Sequence, residues 1–420
     1  MRRLAVLLYG EHVAWLEQAT TGRRALRYLP DVAPATPLSL ALPFRTTPFT
    51  QAATDPFIEG LLPEREGVRE AIARQFGVSP RNPFALLEHV GLECAGAAQF
   101  AAEHEIEAVL RGVGALEPID DAAIGERLRE LRSRPDDSWM ADRERWSLAG
   151  AQAKFALRWE DGWHTATGAE PTTHIVKPGV DGFRHQALNE HLCLATARTI
   201  GLRAARSEYA EFDGEPAIVV ERYDRPRVEG SVVRLHQEDL CQATSTPPRR
   251  KYESDGGPSA RTIVATLRSG GAPEDSVHRF LEGLVFNHLI GAPDAHAKNY
   301  SILLAPGVVE LAPLYDVASA LPYDRRKGDG LGAAAMAVGG VREFGRVEER
   351  HWVALAWECR IEPEWLLGTV RRLAASTPDA LADAVAIGRG ITGVGELAPR
   401  LLERVAHLCA TTTALLGGRA

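Results

Sequence analysis

Short apolar segments separated by turn residues make up the first 30 residues of the chain. These segments are LAVLLYG, HVAWLEQ and ALRYLP, and their turns contain Gly10 and Thr21-Gly22. Short apolar runs bounded by turn residues predict two or three β-strands. The pattern then becomes helical in DPFIEGLLP and GVREAIARQFG, where Gly77 is placed to end the second helix. We therefore expect an N-terminal module of mixed α and β structure.

A second group of strands is predicted after Trp146. FALRWEDGWHTAT predicts a hairpin that turns at Asp161-Gly162, and THIVKP predicts a strand that ends at Pro178. The segment HQALNEHLCLATARTIGL has the pattern of an amphipathic helix, and a further hairpin is predicted to turn at Asp213-Gly214. The order of hairpin, strand, helix and hairpin indicates a small sheet with one helix against it.

Beyond about residue 235 the chain has mainly helical patterns. Helices are predicted up to a polar loop near residue 294, then a strand pair in YSILLAPGVVELAPLYDVAS, and further helices over 346–358, 363–375, 378–388 and 399–416. The predicted fold class is therefore α+β, with a two-lobed, protein-kinase-like arrangement and an all-α large C-terminal lobe. Its predicted parts are an N-terminal module (1–115), a connector with a β-rich small lobe (116–234) and the helical lobe (235–420).

The composition is that of a globular protein and restricts the function further. Of 420 residues, 45% are hydrophobic and 25% are charged, and the formal net charge is -8. An acidic chain is not expected to bind nucleic acid over its whole surface, although a local basic patch is compatible with it. Five scattered cysteines without a C-x-x-C motif favour a reducing cytosol over a disulfide framework or a zinc cluster. Without an apolar run of about 20 residues, we expect no membrane crossing.

The polar loop GAPDAHAKNYSILL carries the most informative spacing in the chain. Asp294 and Asn299 lie five positions apart, as do the base Asp and the metal-binding Asn of kinase catalytic loops. Asp316 follows in PLYDVAS and can bind Mg²⁺, as the DFG Asp does in protein kinases. A stand-alone zinc centre at His296 is disfavoured because no second His or Cys lies at ligand spacing. The spacing predicts a phosphoryl-transfer loop.

Three segments before this loop extend the same interpretation. Lys177, on the predicted strand THIVKP, can pair with phosphates, and Glu190 on the following helix is its expected ion-pair partner. Backbone groups around Glu221–Tyr223 are placed to hydrogen-bond an adenine edge. The loop Ser147–Lys154, SLAGAQAK, is neither G-x-G-x-x-G nor a Walker A motif, but its small residues let backbone N–H groups approach phosphates.

Taken together, these segments resemble the HipA-type serine/threonine kinases, the toxins of bacterial toxin–antitoxin pairs. The resemblance covers nearly the whole chain, and KYESDGGP with D-x-H-x-K-N is its most specific part. The blocks that carry it, in family order, are WSLAGAQAKFAL, PTTHIVKP, NEHLCL, QEDLCQA, KYESDGGP, DAHAKNYS and LYDVASA.

The resemblance implies a role for each matching position. Asp294 would accept the proton, and Asn299 and Asp316 would hold Mg²⁺. Ser147 would be the site of autophosphorylation. The phosphate adds about 1.5 to 2 negative charges at this site and would switch the enzyme off. The residues implied for the ATP site are Ala149, Gly150, Ala151, Gln152, Ala153, Lys154, Lys177, Glu221, Arg222, Tyr223, His296, Ala297, Lys298, Asn299, Tyr315 and Asp316.

The resemblance also implies partners. It implies a HipB-like helix-turn-helix antitoxin, operator DNA contacted mainly through that antitoxin, and a protein substrate of the aminoacyl-tRNA synthetase class, such as glutamyl-tRNA synthetase. The expected outcome is growth arrest by a cytoplasmic kinase. Two other functions stay open. The first is a small-molecule phosphotransferase, against which the KYESDGGP block argues. The second is a catalytically silent regulator that binds antitoxin and DNA, against which the intact Lys177 and Asp294 argue.

Several residues keep two interpretations. His296 either contacts ATP or braces the loop, and Lys298 either pairs with the γ-phosphate or is a solvated lysine. Ser147 is either a phosphorylation site or a helix N-cap. The segment Tyr252–Gly257 is either a substrate-binding or activation-type loop or a turn between helices, since Asp-Gly-Gly favours turns.

Overall fold

The computed structural model describes residues 1–32, 34–137, 140, 144–324 and 330–417. The chain forms two compact units, each assembled from three stretches of sequence. The first unit contains Met1–Pro178, Ala210–Arg249 and Ile302–Val308, and the second contains Gly179–Tyr209, Arg250–Ser301 and Val309–Ala420. The three-part division expected from the sequence stays a prediction.

Strands and helices alternate irregularly up to Pro178. The strands are β1 (Arg2–Leu8), β2 (Glu11–Gln18), β3 (Arg24–Tyr28), β4 (Gln99–Ala101), β5 (Gly114–Pro118), β6 (Phe155–Trp159), β7 (Trp163–Gly168) and β8 (His174–Lys177). The helices are α1 (Gln51–Gly60), α2 (Glu66–Phe76), α3 (Pro83–Val90), α4 (Ile106–Leu110) and α5 (Asp121–Ser133).

The remaining elements become mainly helical towards the C-terminus. The strands are β9 (Ser207–Phe212), β10 (Glu215–Glu221), β11 (Arg227–Val228), β12 (Ser231–Val232), β13 (His236–Asp239), β14 (Ser301–Ala305), β15 (Val308–Leu311), β16 (Ala333–Val338) and β17 (Val341–Glu343). The helices are α6 (Gln186–Thr199), α7 (Leu240–Ala243), α8 (Ala260–Ser269), α9 (Glu274–Leu289), α10 (Glu349–Cys359), α11 (Pro363–Ile387) and α12 (Val394–Leu416).

The N-terminal sheet has the strand order β3-β2-β1-β4. Its central strand β1 is apolar on both faces, which accounts for the continuous run LAVLL. Leu4 and Val6 lie in the large core of the first unit, whereas Ala5 and Leu7 lie in a smaller cluster with Leu92. Burial on both faces replaces the strict alternation that a half-exposed strand would show.

The second sheet of the first unit has the order β5-β7-β6-β8-β10-β9. Both predicted hairpin turns are confirmed. Asp161 and Gly162 have φ of 52° and 147°, and Asp213 and Gly214 have φ of 49° and 77°. Positive φ at both central residues is the geometry that Asp-Gly favours in tight hairpins. The helix end at Gly77 is also confirmed, because Gly77 has a left-handed conformation with φ of 65°.

The second unit is built around α11, which packs against α6, α9, α10 and α12. The sequence predicts separate helices over 363–375 and 378–388, but the structure has one helix of 25 residues with Pro378 inside it. Packing on four neighbours compensates for the one backbone hydrogen bond that a proline removes.

The α+β kinase-like fold class is confirmed, but the expected all-α character of the C-terminal lobe is corrected. Strands β16 and β17 pair antiparallel through Ala333↔Glu343 and Val338↔Val341.

Within the described ranges 1–32, 34–137, 140, 144–324 and 330–417, no helix is long and apolar enough to cross a membrane.

Candidate active site

The loop from Gly291 to Tyr300 joins α9 to β14 in a conformation closed by its own hydrogen bonds. The His296 amide donates to the Asp294 carbonyl at 2.8 Å, and the Asn299 amide donates to the His296 carbonyl at 2.9 Å. Asn299 Nδ2 also donates to the Asp294 carbonyl at 2.7 Å. The Asn299 side chain therefore braces the loop with its nitrogen and keeps its oxygen as the atom suited to a metal.

Asp294 has an exposed carboxylate, with 63% of its side chain accessible. The Tyr252 hydroxyl donates a hydrogen bond to Asp294 Oδ1, and His296 Nε2 lies 3.6 Å from the same oxygen. The rings of Tyr252 and His296 meet edge to face with centroids 4.8 Å apart. The carboxylate is thus reachable from solvent, as a base needs to be, while one of its oxygens is engaged by a tyrosine.

Tyr315 connects the Asp316 segment to this loop. Its hydroxyl donates to the Lys298 carbonyl at 2.7 Å and lies 2.6 Å from Ser301 Oγ. Asn299 and Asp316 are the sequence neighbours of the two bonded residues, Lys298 and Tyr315. Both predicted metal ligands therefore lie in segments that are joined directly.

The residues predicted to hold Mg²⁺ have the appropriate chemistry. Asn299 and Asp316 are both half-buried and supply an amide and a carboxylate oxygen, which are ligands that Mg²⁺ prefers. Asp316 has φ of 53°, an uncommon left-handed conformation for a non-glycine residue. Such backbone conformations concentrate at functional sites. No cluster of three or more His, Cys, Asp or Glu suited to a metal occurs among the residues that the structure describes.

The remaining polar residues of the loop are buried. Lys298 is 6% exposed and His296 is 2% exposed. The interpretation of Lys298 as a solvated lysine is therefore wrong. The edge-to-face contact of His296 with Tyr252 favours its interpretation as a loop brace.

In the first unit, the predicted phosphate loop is held by two earlier parts of the chain. The Ser147 hydroxyl is buried and donates to the Leu61 carbonyl at 2.7 Å, while its amide donates to the Glu93 carbonyl at 2.8 Å. The Glu64 amide donates to the Gly150 carbonyl at 3.0 Å. Ser147 therefore fixes a loop through its hydroxyl and is not a helix N-cap.

Gly150 and Lys154 determine the shape of this loop. Gly150 has φ of 103°, and a Cβ added there would lie 2.9 Å from Lys154 Nζ. Lys154 Nζ donates to the Ala149 carbonyl at 2.9 Å. The backbone conformation favours glycine at this position. Between them, Ala151 is exposed, Gln152 is half-buried and Ala153 is buried.

The predicted adenine-binding segment is anchored by a buried network of charges. Arg222 Nη1 contacts Glu93 Oε1 and Arg222 Nη2 contacts Asp224 Oδ2, each at 2.8 Å. Arg225 contacts the same two carboxylates, and Arg234 Nη2 contacts Glu93 Oε2 at 2.6 Å. Although burial alone would raise the pKa of Glu93, the facing arginines lower it to about 2. The network therefore stays charged at neutral pH.

This anchoring limits what each residue of the segment can offer a nucleotide. The Arg222 amide donates to the Thr173 carbonyl at 2.8 Å, so this donor is already used within the sheet. Glu221 is exposed at the end of β10, and the Tyr223 hydroxyl donates to Gln237 Oε1.

Lys177 and Glu190 are both buried, at 3% and 1% exposed. Lys177 pairs in register with Ile218 of β10 in the first unit, whereas Glu190 lies on α6 in the second. Their ion pair stays a prediction.

Comparison with known proteins identifies the family. Residues 146–381 match the model of the HipA-like C-terminal domain, and residues 4–101 match that of the HipA N-terminal domain. The first match alone spans more than half of the chain. The chain belongs to the HipA family.

Two relatives of this chain are similar along most of their length. The protein Y4mE of Sinorhizobium fredii is 39% identical over 357 residues, covering 83% of this chain and 82% of the relative. The serine/threonine-protein kinase toxin HipA of Shewanella oneidensis is 29% identical over 365 residues, covering 83% and 81%. Family membership therefore rests on both halves of the chain.

A solved structure of a HipA protein has the same fold. HipA in the complex of the Shewanella oneidensis HipA, HipB and operator DNA superposes with a TM-score of 0.83 at 26% sequence identity, covering 98% of each chain. The fold-class prediction and the resemblance to HipA proteins are both confirmed.

The sequence did not assign two contributors to this HipA-family site a contact with it. Tyr252 contacts Asp294, whereas the sequence indicated only that the segment Tyr252–Gly257 is a candidate functional loop. Glu93 binds the phosphate loop through its carbonyl and the adenine-binding segment through its carboxylate. It had no sequence signal, because it lies 129 positions from Arg222.

Proposed function

We propose that this HipA-family chain is an ATP- and Mg²⁺-dependent serine/threonine kinase that acts as a growth-arresting toxin. The observation that carries the proposal is the joined pair of segments in the second unit: a self-closed loop from Asp294 to Asn299, held by Tyr315 to the segment of Asp316. Asp294 offers an exposed carboxylate. Asn299 and Asp316, which are the sequence neighbours of the bonded Lys298 and Tyr315, offer two oxygen ligands. This combination is suited to phosphoryl transfer.

The second unit would carry out the proton transfer. Asp294 would accept the proton of a substrate hydroxyl as the hydroxyl oxygen attacks the γ-phosphorus. Asn299 and Asp316 would hold Mg²⁺, which when bound supplies neutralisation of phosphate charge. Asp294 is supported in this role by its exposure, since a protein hydroxyl must reach it.

The first unit would bind the nucleotide. Residues 149–154 would approach the phosphates with their backbone, and Lys177 would add positive charge. Glu221 and Tyr223 would meet the adenine edge, because the Arg222 amide is engaged in the sheet. The rigid anchoring of both segments by Glu93 supports a preorganised nucleotide site.

We infer the biological setting from the family. The proposed partners are a HipB-like helix-turn-helix antitoxin, operator DNA bound mainly through it, and a protein substrate of the aminoacyl-tRNA synthetase class. The HipA, HipB and operator DNA complex of Shewanella oneidensis supports the first two. All five cysteines are buried thiols, and buried thiols are compatible with the reducing, cytoplasmic location that we propose.

The proposal is tested with γ-labelled ATP and a bacterial lysate, using the native chain and Asp294→Ala. A protein kinase labels itself or lysate proteins only when Asp294 is present. Label transferred only to a small molecule other than ATP and inorganic phosphate would instead indicate a small-molecule phosphotransferase. Absence of transfer to any protein or to such a product, together with binding to the antitoxin, would indicate a catalytically silent regulator and refute the proposal.

A further inference from the structure

The segment Lys251–Gly257 lies directly against the loop of Asp294 in the second unit. The Ala297 amide donates to the Lys251 carbonyl at 3.3 Å. The Tyr252 hydroxyl donates to Asp294 Oδ1, and the Tyr252 ring packs on that of His296. Two consecutive residues of the segment therefore contact three residues of the loop, including the proposed base.

The conformation of Tyr252 is fixed by its own segment. Its carbonyl accepts hydrogen bonds from the amides of Asp255 and Gly257, at 3.0 and 2.9 Å. Gly257 has no space for a larger residue, since a Cβ there would lie 2.0 Å from the Arg250 carbonyl. Glu253 Oε2 accepts from the Ala337 amide of β16 at 2.6 Å. The tyrosine is thus presented from a tightly folded turn that is anchored on both sides.

An exposed carboxylate on a loop has several accessible rotamers, and only some of them present an oxygen to a substrate. A hydrogen bond from a fixed phenol restricts this freedom and is strengthened by the negative charge of its acceptor. Reacting groups held in one geometry gain rate because the entropy of orientation is lost before the chemical step.

We infer that Tyr252 is a positioning residue for Asp294, an inference that rests on the proposed function. The proton of the acceptor hydroxyl is transferred to the Asp294 carboxylate, which the phenol holds in place. The hydroxyl O–H bond breaks as its oxygen bonds to the γ-phosphorus, and the bond from the γ-phosphorus to ADP breaks with its electron pair leaving on ADP. Tyr252 keeps its own proton throughout. The KYESDGGP segment is accordingly part of the phosphoryl-transfer machinery and not only a turn between helices.

The test compares Tyr252→Phe with the native chain in kinase assays with γ-labelled ATP and a protein acceptor. Phenylalanine keeps the ring packed on His296 and removes only the hydroxyl. We expect kcat to fall about 10- to 100-fold, with the KM for ATP and the melting temperature unchanged. Because Tyr252 acts through Asp294, the same substitution in an Asp294→Ala background should cause no further loss.

Tyr28→Phe is the matched control. The Tyr28 hydroxyl donates to the Leu42 carbonyl at 2.7 Å and accepts from the Leu38 amide at 2.9 Å in the buried core of the first unit. Its loss should lower the melting temperature and leave kcat unchanged. Tyr252→Ala, which also removes the packing on His296, should be at least as impaired in kcat as Tyr252→Phe.

The outcomes separate this inference from the function on which it rests. If the native chain transfers no phosphate, or Asp294→Ala transfers as much as the native chain, both are overturned. If Asp294→Ala is inactive and Tyr252→Phe keeps native kcat, only the positioning role is overturned. The role is also overturned if Tyr252→Phe loses kcat only in proportion to a loss of ATP binding or stability.

Discussion

Introducing negative charge at Ser147 should detach the phosphate loop from the segments that hold it. Ser147 is 1% exposed, and its hydroxyl donates to the Leu61 carbonyl at 2.7 Å. A phosphate or a glutamate carboxylate has no proton to donate at neutral pH, and its oxygens would face that carbonyl. The backbone hydrogen bonds of Ser147 to Glu93 and of Glu64 to Gly150 are among the contacts that would resist the change.

The magnitudes favour detachment. Removing the hydroxyl in Ser147→Ala leaves the Leu61 carbonyl without this donor, at a cost of about 1–3 kcal/mol. An uncompensated buried charge in Ser147→Glu adds several kcal/mol. The two backbone hydrogen bonds contribute about 1 kcal/mol each, and the buried side chains of Trp146 and Leu148 also resist detachment. We therefore expect the loop to open locally around residue 147 in response to the charge, whereas the alanine variant should keep the loop in place.

Amide hydrogen exchange and nucleotide binding measure this directly. In Ser147→Glu, exchange should accelerate at the amides of Ser147 and Glu64, and ATP affinity should fall. Ser147→Ala should keep both close to native values. Ser133→Glu is the control, because Ser133 is exposed and its hydroxyl also donates to a carbonyl, that of Glu130, at 3.1 Å. Native protection at Glu64 together with native ATP affinity in Ser147→Glu would refute the reasoning.

Two further predictions concern buried carboxylates of the first unit. Burial raises the pKa of Glu238 from 4.5 to about 8, so between these values only the unfolded chain releases the proton and stability falls as pH rises. Across that window the free energy of unfolding of the native chain in urea should fall by about 3–5 kcal/mol, and in Glu238→Gln this fall should be absent. An unchanged pH slope in the variant would contradict this. Glu93→Gln removes the charge that faces Arg222, Arg225 and Arg234 and should cost about 3–5 kcal/mol in the same unfolding assay, whereas a cost under about 1 kcal/mol would show that the network is not a charged anchor.

Features set by local chemistry were predictable from the sequence. The hairpins at Asp161-Gly162 and Asp213-Gly214 follow from residues that tolerate positive φ, which are confined to the turn itself. The five-residue spacing of Asp294 and Asn299 is similarly local, and the structure shows the two residues in direct contact through the Asn299 side chain.

Features that depend on distant residues were not predictable. Helix α11 continues through Pro378 because of tertiary packing, which overrides the local tendency of proline to end a helix. The hydrogen bond between Tyr252 and Asp294 joins positions 42 apart. No period or spacing in one sequence indicates such a contact, since it arises only when the segments are folded against each other.

Phosphoryl transfer by Asp294 is tested by the rate of γ-phosphate transfer from Mg²⁺-ATP in the native chain and in Asp294→Ala, with ATP binding measured on the same samples. We expect serine or threonine phosphorylation by the native chain and a loss of about 100- to 10,000-fold in Asp294→Ala at unchanged ATP affinity, as for removal of a general base. Equal transfer rates in the two chains, or no transfer by the native chain while ATP is bound, would contradict it.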